Sequence, residues 1–353
     1  MNTFRQFEQQ IEHIPLTTGW YLADLGEARG RQELFTRQSP QKLKILREHA
    51  VIESAVSSNR IEGVQVDQAR IGTVIFGKSH LRDRDEEEVR GYRDALKLIH
   101  DQGRDLRINE ELIRELHRLC RAGLGDAGQY KERDSDIIEK YPDGRQRVRF
   151  TTVKAADTPC YVRDLAESWG RCLRERWVHP LIALAAFNLD FLCIHPFRDG
   201  NGRVSRLLML AGCYQLGYEV GRYISLERLI EENKERYYET LESSSQGWHE
   251  ARHDPWPLIN FLLYVLKLAY GEFEKRVGQT TSPKGAKTEM VEAVVESMTN
   301  SFTVNDLERV CPGVSRDMIR RVLRGLKEAG KVEALGRGPG ALWRKRGSTL
   351  KKG

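Results

Sequence analysis

HPFRDGNGRVSR, residues 195–206, is the stretch on which the reading of this chain turns. An apolar run, LIALAAFNLDFLCI (181–194), leads into it, and VSRLLMLAGCYQLG (204–217) leads out, so it reads as a loop between two helices. A glycine-flanked loop that opens a helix is a ready anion site. The first helical N–H groups lack intrahelical partners, and the helix dipole favours negative charge. Gly200 and Gly202 let the backbone approach a phosphate closely. Arg203 and Arg206, three apart, fall on one helix face and can clamp a polyphosphate. His195 suits a general base, because a free imidazole titrates at about 6.5. Asp199 offers a hard oxygen to Mg²⁺, which takes few protein carboxylates and completes its shell with phosphate oxygens. Together these are the parts for moving a phosphorus-containing group onto a hydroxyl. Taken singly, His-Pro and DGNG also fit plain turns. GNGRVS lacks the third glycine of a dinucleotide fingerprint, and no Walker A sequence occurs.

The full stretch matches the signature of the Fic family, HPFx[D/E]GNGRxxR, at every specified position. NEELIRELHRLCRAGLGDAGQYKERD (109–134) resembles the family's upstream helix and G-x-Y-R segment, with Lys131 where arginine is usual. KERYYETLESSSQGW (234–248) resembles its downstream Tyr-Tyr helix, and the resemblance covers about residues 1–275. It implies transfer of AMP from ATP, with Mg²⁺, to a Ser, Thr or Tyr hydroxyl of a target protein, and self-modification. By that resemblance His195 takes the hydroxyl proton and Asp199 holds the metal. Gly200, Asn201, Gly202 and Arg203 meet the α- and β-phosphates, Arg206 the γ-phosphate, and Tyr237 and Tyr238 line the nucleotide pocket. Phe197 anchors the loop by packing, and the hairpin around RVRFTTV (147–153) matches the flap that holds a target segment.

SSNRIEG (57–63) closes a helical segment, 41–63, at Gly63. Glu62 then lies in a last turn, where the dipole disfavours an anion by about 0.3–1 kcal/mol, a cost any solvated glutamate tolerates. The resemblance supplies a stronger reading. Ser58 to Gly63 matches the family's inhibitory S-x-x-x-E-G, which implies that Glu62 pairs with Arg206 and keeps ATP in an unproductive pose. A nucleotide-sensing, DNA-binding regulator and a hydrolase that removes AMP, with Glu62 placing a water, are the competing functions.

The chain's 353 residues, 40% hydrophobic and 31% charged, suit a folded, mainly α-helical protein of more than one domain. The expected parts are an N-terminal helical region (1–104), a Fic-type core (105–277), a linker (278–287), a winged helix-turn-helix (288–346) and a basic tail (347–353). A turn signal in DSDIIEKYPDGRQRVRFTTV (134–153) marks the one small hairpin of the core, and EEEVRGYRDALKLIHDQG (86–103) and NEELIRELHRLCRAGLG (109–125) read as helices closed by glycine. The whole formal charge of +6 lies at the C-terminal end, where residues 283–353 hold 15 Lys and Arg against 8 Asp and Glu. Arg316, Arg320, Arg321 and Arg324 stud the expected recognition helix, and Arg337, Arg344, Lys345 and Arg346 flank the wing, which suits DNA or a protein partner alike. A homodimer is compatible with these features. Six scattered cysteines without CxxC pairs suit a reducing cytosol, with neither disulfides nor structural zinc. The polar start MNTFRQFEQQIEH and an apolar run shorter than the roughly 20 residues of a membrane span point to a cytoplasmic protein without a membrane partner.

Overall fold

The computed structural model describes residues 1–10, 13–36, 40–77, 80–121, 124–140, 143–278, 286–298, 301–311, 314–336, 338 and 341–346. Helices α1 (Asn2–Gln10), α2 (Leu16–Thr36), α3 (Pro40–Ile61), α4 (Ile71–Phe76), α5 (Arg84–Gln102) and α6 (Glu110–Cys120) come first. An antiparallel hairpin of β1 (Asp136–Lys140) and β2 (Gln146–Thr151) follows, with a bulge between Ile137 and Ile138. Then come α7 (Thr158–Glu175), α8 (Pro180–Ile194), α9 (Asn201–Gln215), α10 (Leu226–Glu232), α11 (Lys234–Ser245) and α12 (Trp256–Gly278). The C-terminal elements are α13 (Ala286–Ser297), α14 (Val304–Val310), α15 (Arg316–Glu328) and a second hairpin, β3 (Val332–Ala334) with β4 (Trp343–Lys345).

The chain forms two compact units, one of residues 1–33 and 50–271, the other of 34–49 and 272–353. Most of the region expected as a separate N-terminal part therefore packs together with the core, and residues 34–49 group with the C-terminal elements. The reason lies in α8, whose residues 181–194 are buried on every side. A helix apolar all round must be covered all round, and α1, α7, α9 and α11 all pack on it. Each of its two polar residues accepts hydrogen bonds through one oxygen. Asp190 accepts from the Thr3 hydroxyl at 2.6 Å, the Thr3 N–H at 3.1 Å and the Trp248 indole at 2.6 Å, which fastens α1 to the core. Asn188 accepts from Ser205 of α9. His179 caps the helix and Pro180 occupies its first turn.

Local signals fix most helix ends. Gly63 and Gly103 take φ of +88° and +56° after α3 and α5, the left-handed region that glycine enters without steric cost. Helix α6 departs from expectation. It stops at Cys120, short of Gly125, and Arg121 just beyond it turns its guanidinium toward the buried Glu88. The second unit closes on Val291, Val295, Phe302, Leu307, Ile319, Leu323 and Val332, with Trp343 packed against them. Its helices are capped by Thr303 and Ser315. The order of three helices and a hairpin is the expected one; the linker's residues 279–285, Arg337 and the tail 347–353 lie outside the described residues. All six cysteines are free thiols. Among the described residues no helix is long and apolar enough to cross a membrane.

Candidate functional site

The loop at 195–200 joins the C-terminus of α8 to the N-terminus of α9. His195 ends α8 in the left-handed conformation, with φ +51°, and Gly200 starts α9 at φ +83°. Between them Asn201 folds the loop back on itself: its carbonyl accepts the Phe197 N–H at 2.9 Å and its amide donates to the Phe197 carbonyl at 2.7 Å. The sequence reading put Asn201 on phosphate, whereas here both ends of its amide are spent shaping the loop. Phe197 is fully buried and stacks on His117 with centroids 3.7 Å apart. His117 accepts the Gly128 N–H on Nδ1, so Nε2 carries the proton and donates to the Asp199 carbonyl at 3.1 Å. Burial holds this imidazole near pKa 4, neutral in either role.

His195 contacts the Leu192 carbonyl through Nδ1 at 3.3 Å. A carbonyl can only accept, so Nδ1 carries the proton and Nε2 keeps a free lone pair, as a general base requires. Burial first, and the nearby Lys131 charge second, lower its pKa to about 4. The imidazole is thus uncharged, with Nε2 unprotonated, throughout the neutral range. It lines a cavity of about 240 Å³ shared with Glu62, Gly202, Arg206, Tyr237 and Tyr238, and walled on one side by Ile137 and Phe150 of the hairpin. Gly202 lines the cavity too, and the N–H groups of Asn201, Gly202 and Arg203 open α9 without the intrahelical acceptors that later residues have.

Arg206 is buried and bound from three directions. Its Nε donates to the Ser58 hydroxyl at 2.8 Å, and Nη2 donates to the Ser58 carbonyl at 2.8 Å and to Glu62 Oε1 at 2.8 Å. Burial alone would lower the pKa of this guanidinium, but the Glu62 carboxylate raises it overall. Gly202 leaves room for the Glu62 carboxylate, which would have to shift if the residue carried a side chain. A Cβ built on it would stand 2.2 Å from Glu62 Oε1, so the Glu62 carboxylate lies directly over the first turn of α9. Ser58, Glu62, Arg206, Gly202, Tyr237, Tyr238 and His195 are therefore brought together as the sequence reading required.

Several residues of the site were not foreseen. Glu88 of α5 is buried and receives Arg203 at 2.6 Å, Arg84 at 2.9 Å and Arg121 at 3.3 Å. Arg121 also reaches Asp199 at 2.6 Å, and Asn59 accepts from Arg203 at 3.2 Å. These cations outweigh the cost of burial and keep the Asp199 carboxyl below its ordinary range. Asp199 is half-exposed, with Oδ2 accepting from Arg121 and Oδ1 from the Gly200 N–H, and its carboxylate is a hard oxygen donor of the kind Mg²⁺ takes. Among the described residues no three metal-ligating side chains cluster. Glu88 was hidden in the acidic run DEEE (85–88), which reads as a solvated first turn.

Residues 107–212, which include the loop and its flanking helices, match the model of the Fic/DOC family. A protein adenylyltransferase Fic from Nematostella vectensis is 26% identical over 227 residues, 60% of this chain and 46% of that protein. One from Aedes aegypti is 30% identical over 96 residues, 27% of this chain and 17% of that protein. The chain spans less than half the length of these curated relatives. A Fic family protein from Desulfovibrio desulfuricans G20 superposes with a TM-score of 0.60 at 24% identity, covering 96% of this chain and 98% of that one. A Fic domain containing signaling protein from Bacteroides thetaiotaomicron gives a TM-score of 0.61 at 21% identity over 73% of this chain and 98% of that one. The mainly helical fold is shared with both.

Proposed function

We propose that the Fic domain at 107–212 transfers AMP from ATP to a hydroxyl of a protein target, and that Glu62 restrains the reaction by occupying Arg206. The observation that carries this reading is the free Nε2 of His195, facing a cavity whose other wall is the anion-binding first turn of α9. The curated relatives named protein adenylyltransferase support the same reaction class.

The triphosphate lies along the N–H groups of residues 201–203, with Arg203 and Arg206 countering its charge and Tyr237 and Tyr238 beside the nucleoside. Arg203 is already oriented by Glu88 and Asn59, so it loses little freedom on binding. Mg²⁺ held by Asp199 and phosphate oxygens would neutralise part of the phosphate charge. His195 Nε2 takes the proton of the incoming hydroxyl as its oxygen bonds to the α-phosphorus, and pyrophosphate leaves. The hairpin wall, with Ile137 and Phe150 at the cavity, supports a target segment by strand pairing. Glu62 is the brake because Arg206 cannot serve the carboxylate and a γ-phosphate with the same Nη2.

The three helices and hairpin of the second unit support a winged-helix docking module for DNA or protein. Arg321 and Arg324 are exposed on α15, while Arg344 and Arg346 of the wing are engaged by Glu333. The decisive experiment incubates the full chain with Mg²⁺ and ATP labelled on either the α- or the γ-phosphate, followed by intact-mass analysis. Incorporation of the α-label with a mass gain of one AMP is expected; incorporation of the γ-label would refute nucleotidyl transfer.

A further inference from the structure

We propose that Lys131 is a positioning residue that sets His195 in its working conformation and ties it to the hairpin. The inference rests on the AMP-transfer reading, and its starting point is backbone strain. His195 is one of three non-glycine residues at positive φ among the described residues, a conformation that persists only where neighbours over-determine it. Lys131 supplies that restraint on both flanks. Its backbone N–H donates to the Pro196 carbonyl at 2.9 Å, and its ammonium donates to the Ile194 carbonyl at 3.2 Å. The peptide group that precedes His195 and the Pro196–Phe197 peptide one step beyond it are thus bound by a single residue.

The same ammonium donates to the Thr152 hydroxyl at 2.7 Å, which in turn donates to the Ser135 carbonyl at 2.5 Å. Ser135 immediately precedes β1 and Thr152 immediately follows β2, so both feet of the hairpin meet the base of the catalytic loop at this buried side chain. The distance between His195 Nε2 and whatever the hairpin holds therefore depends on Lys131. The group also acts on the imidazole through its charge. After burial, Lys131 is the next cause of the low His195 pKa, opposed by Glu62 and Asp199. Lys131 itself is lowered to about 8 by burial and is flanked by Asp134 and Asp136.

The test uses the full chain carrying Glu62→Gly, with Lys131→Met, Lys131→Arg or Thr152→Val added. Self-modification rates, ATP affinity and the NMR titration of the His195 imidazole are measured for each. Lys131→Met should lower kcat at least tenfold with ATP affinity within twofold, and the His195 titration should move up from about 4. Lys131→Arg keeps charge and donors, so it should restore most of kcat and leave the titration in place. Thr152→Val cuts only the hairpin link and should slow transfer several-fold without moving the titration. A kcat within twofold in Lys131→Met with an unmoved titration overturns the proposal. So does an equal loss of ATP affinity and folding in both Lys131 variants, which would assign the residue to packing. If the parent chain transfers no AMP, the functional reading fails instead, and the titration of His195 in the two Lys131 variants still decides this one.

Discussion

Replacing Glu62 by glycine should release the proposed AMP transfer, because the change removes one ligand of Arg206 and leaves the others. Ser58 still holds the guanidinium through its hydroxyl and carbonyl at 2.8 Å each. Arg206 therefore stays seated on α9 with one N–H edge freed toward the cavity. The lost contact is a charge-assisted hydrogen bond, worth about 1.5–3 kcal/mol when buried. The Glu62 side chain is 31% exposed against 3% for Arg206, so screening discounts the contact to about 1–2 kcal/mol. That free energy corresponds to roughly a five- to thirtyfold shift toward the state in which Arg206 meets a γ-phosphate. Removing the carboxylate also clears the space above Gly202 that it fills now. Initial rates of self-modification, read by intact mass at saturating Mg²⁺ and ATP, should rise by about that factor, with Glu62→Gln intermediate because it keeps the shape without the charge. Arg206→Ala breaks the same pair but removes the phosphate contact as well, and should not gain. An unchanged rate in a folded Glu62→Gly protein, or an equal gain in Arg206→Ala, would refute the reasoning.

Four further outcomes are expected. His195→Ala should reduce transfer by about 10²–10⁴-fold, the usual share of a general base, with ATP affinity measured by calorimetry nearly unchanged. Glu88→Gln leaves the buried Arg203 and Arg121 without their shared carboxylate; breaking such a network costs about 3–5 kcal/mol, visible as a lower urea midpoint. Burial depresses the folded-state pKa of His117, His195 and His253 to about 4 from 6.5. The unfolded chain then binds the extra protons in that window, so urea stability should fall as pH drops from about 6.5 to about 4 and be flat just above it. If α15 docks on DNA, Arg321→Glu and Arg324→Glu should weaken binding and flatten its salt dependence by about 0.9 per lost phosphate contact. These substitutions test docking more cleanly than truncation near residue 280, which would strip residues 34–49 of their companions in the second unit.

What the sequence determined by itself was the chemistry that a continuous segment can carry. An anion-binding turn needs glycines beside a helix start and cations one turn on, and all of these lie within 195–206. Helix α8 was equally legible, since a run apolar on every face has nowhere to go but the core, and so were the glycine-closed ends of α3 and α5. Pairing of Glu62 with Arg206 followed from resemblance, and the distance between them is set by how α3 lies across α9. The tertiary structure alone decided which charges became buried. Glu88 and Glu87 are neighbours in one acidic run, yet only the face of α5 that packs on α6 and α9 turns a carboxylate toward Arg203 and Arg121. It alone likewise seated Arg121, the residue after α6, against the buried Glu88 and the half-exposed Asp199. Lys131, read from the sequence only as a departure from arginine, became the junction between His195 and the hairpin for the same reason. Local conformation depends on neighbours in the chain, whereas burial and ion pairing depend on which surfaces meet, and no spacing along the chain encodes that.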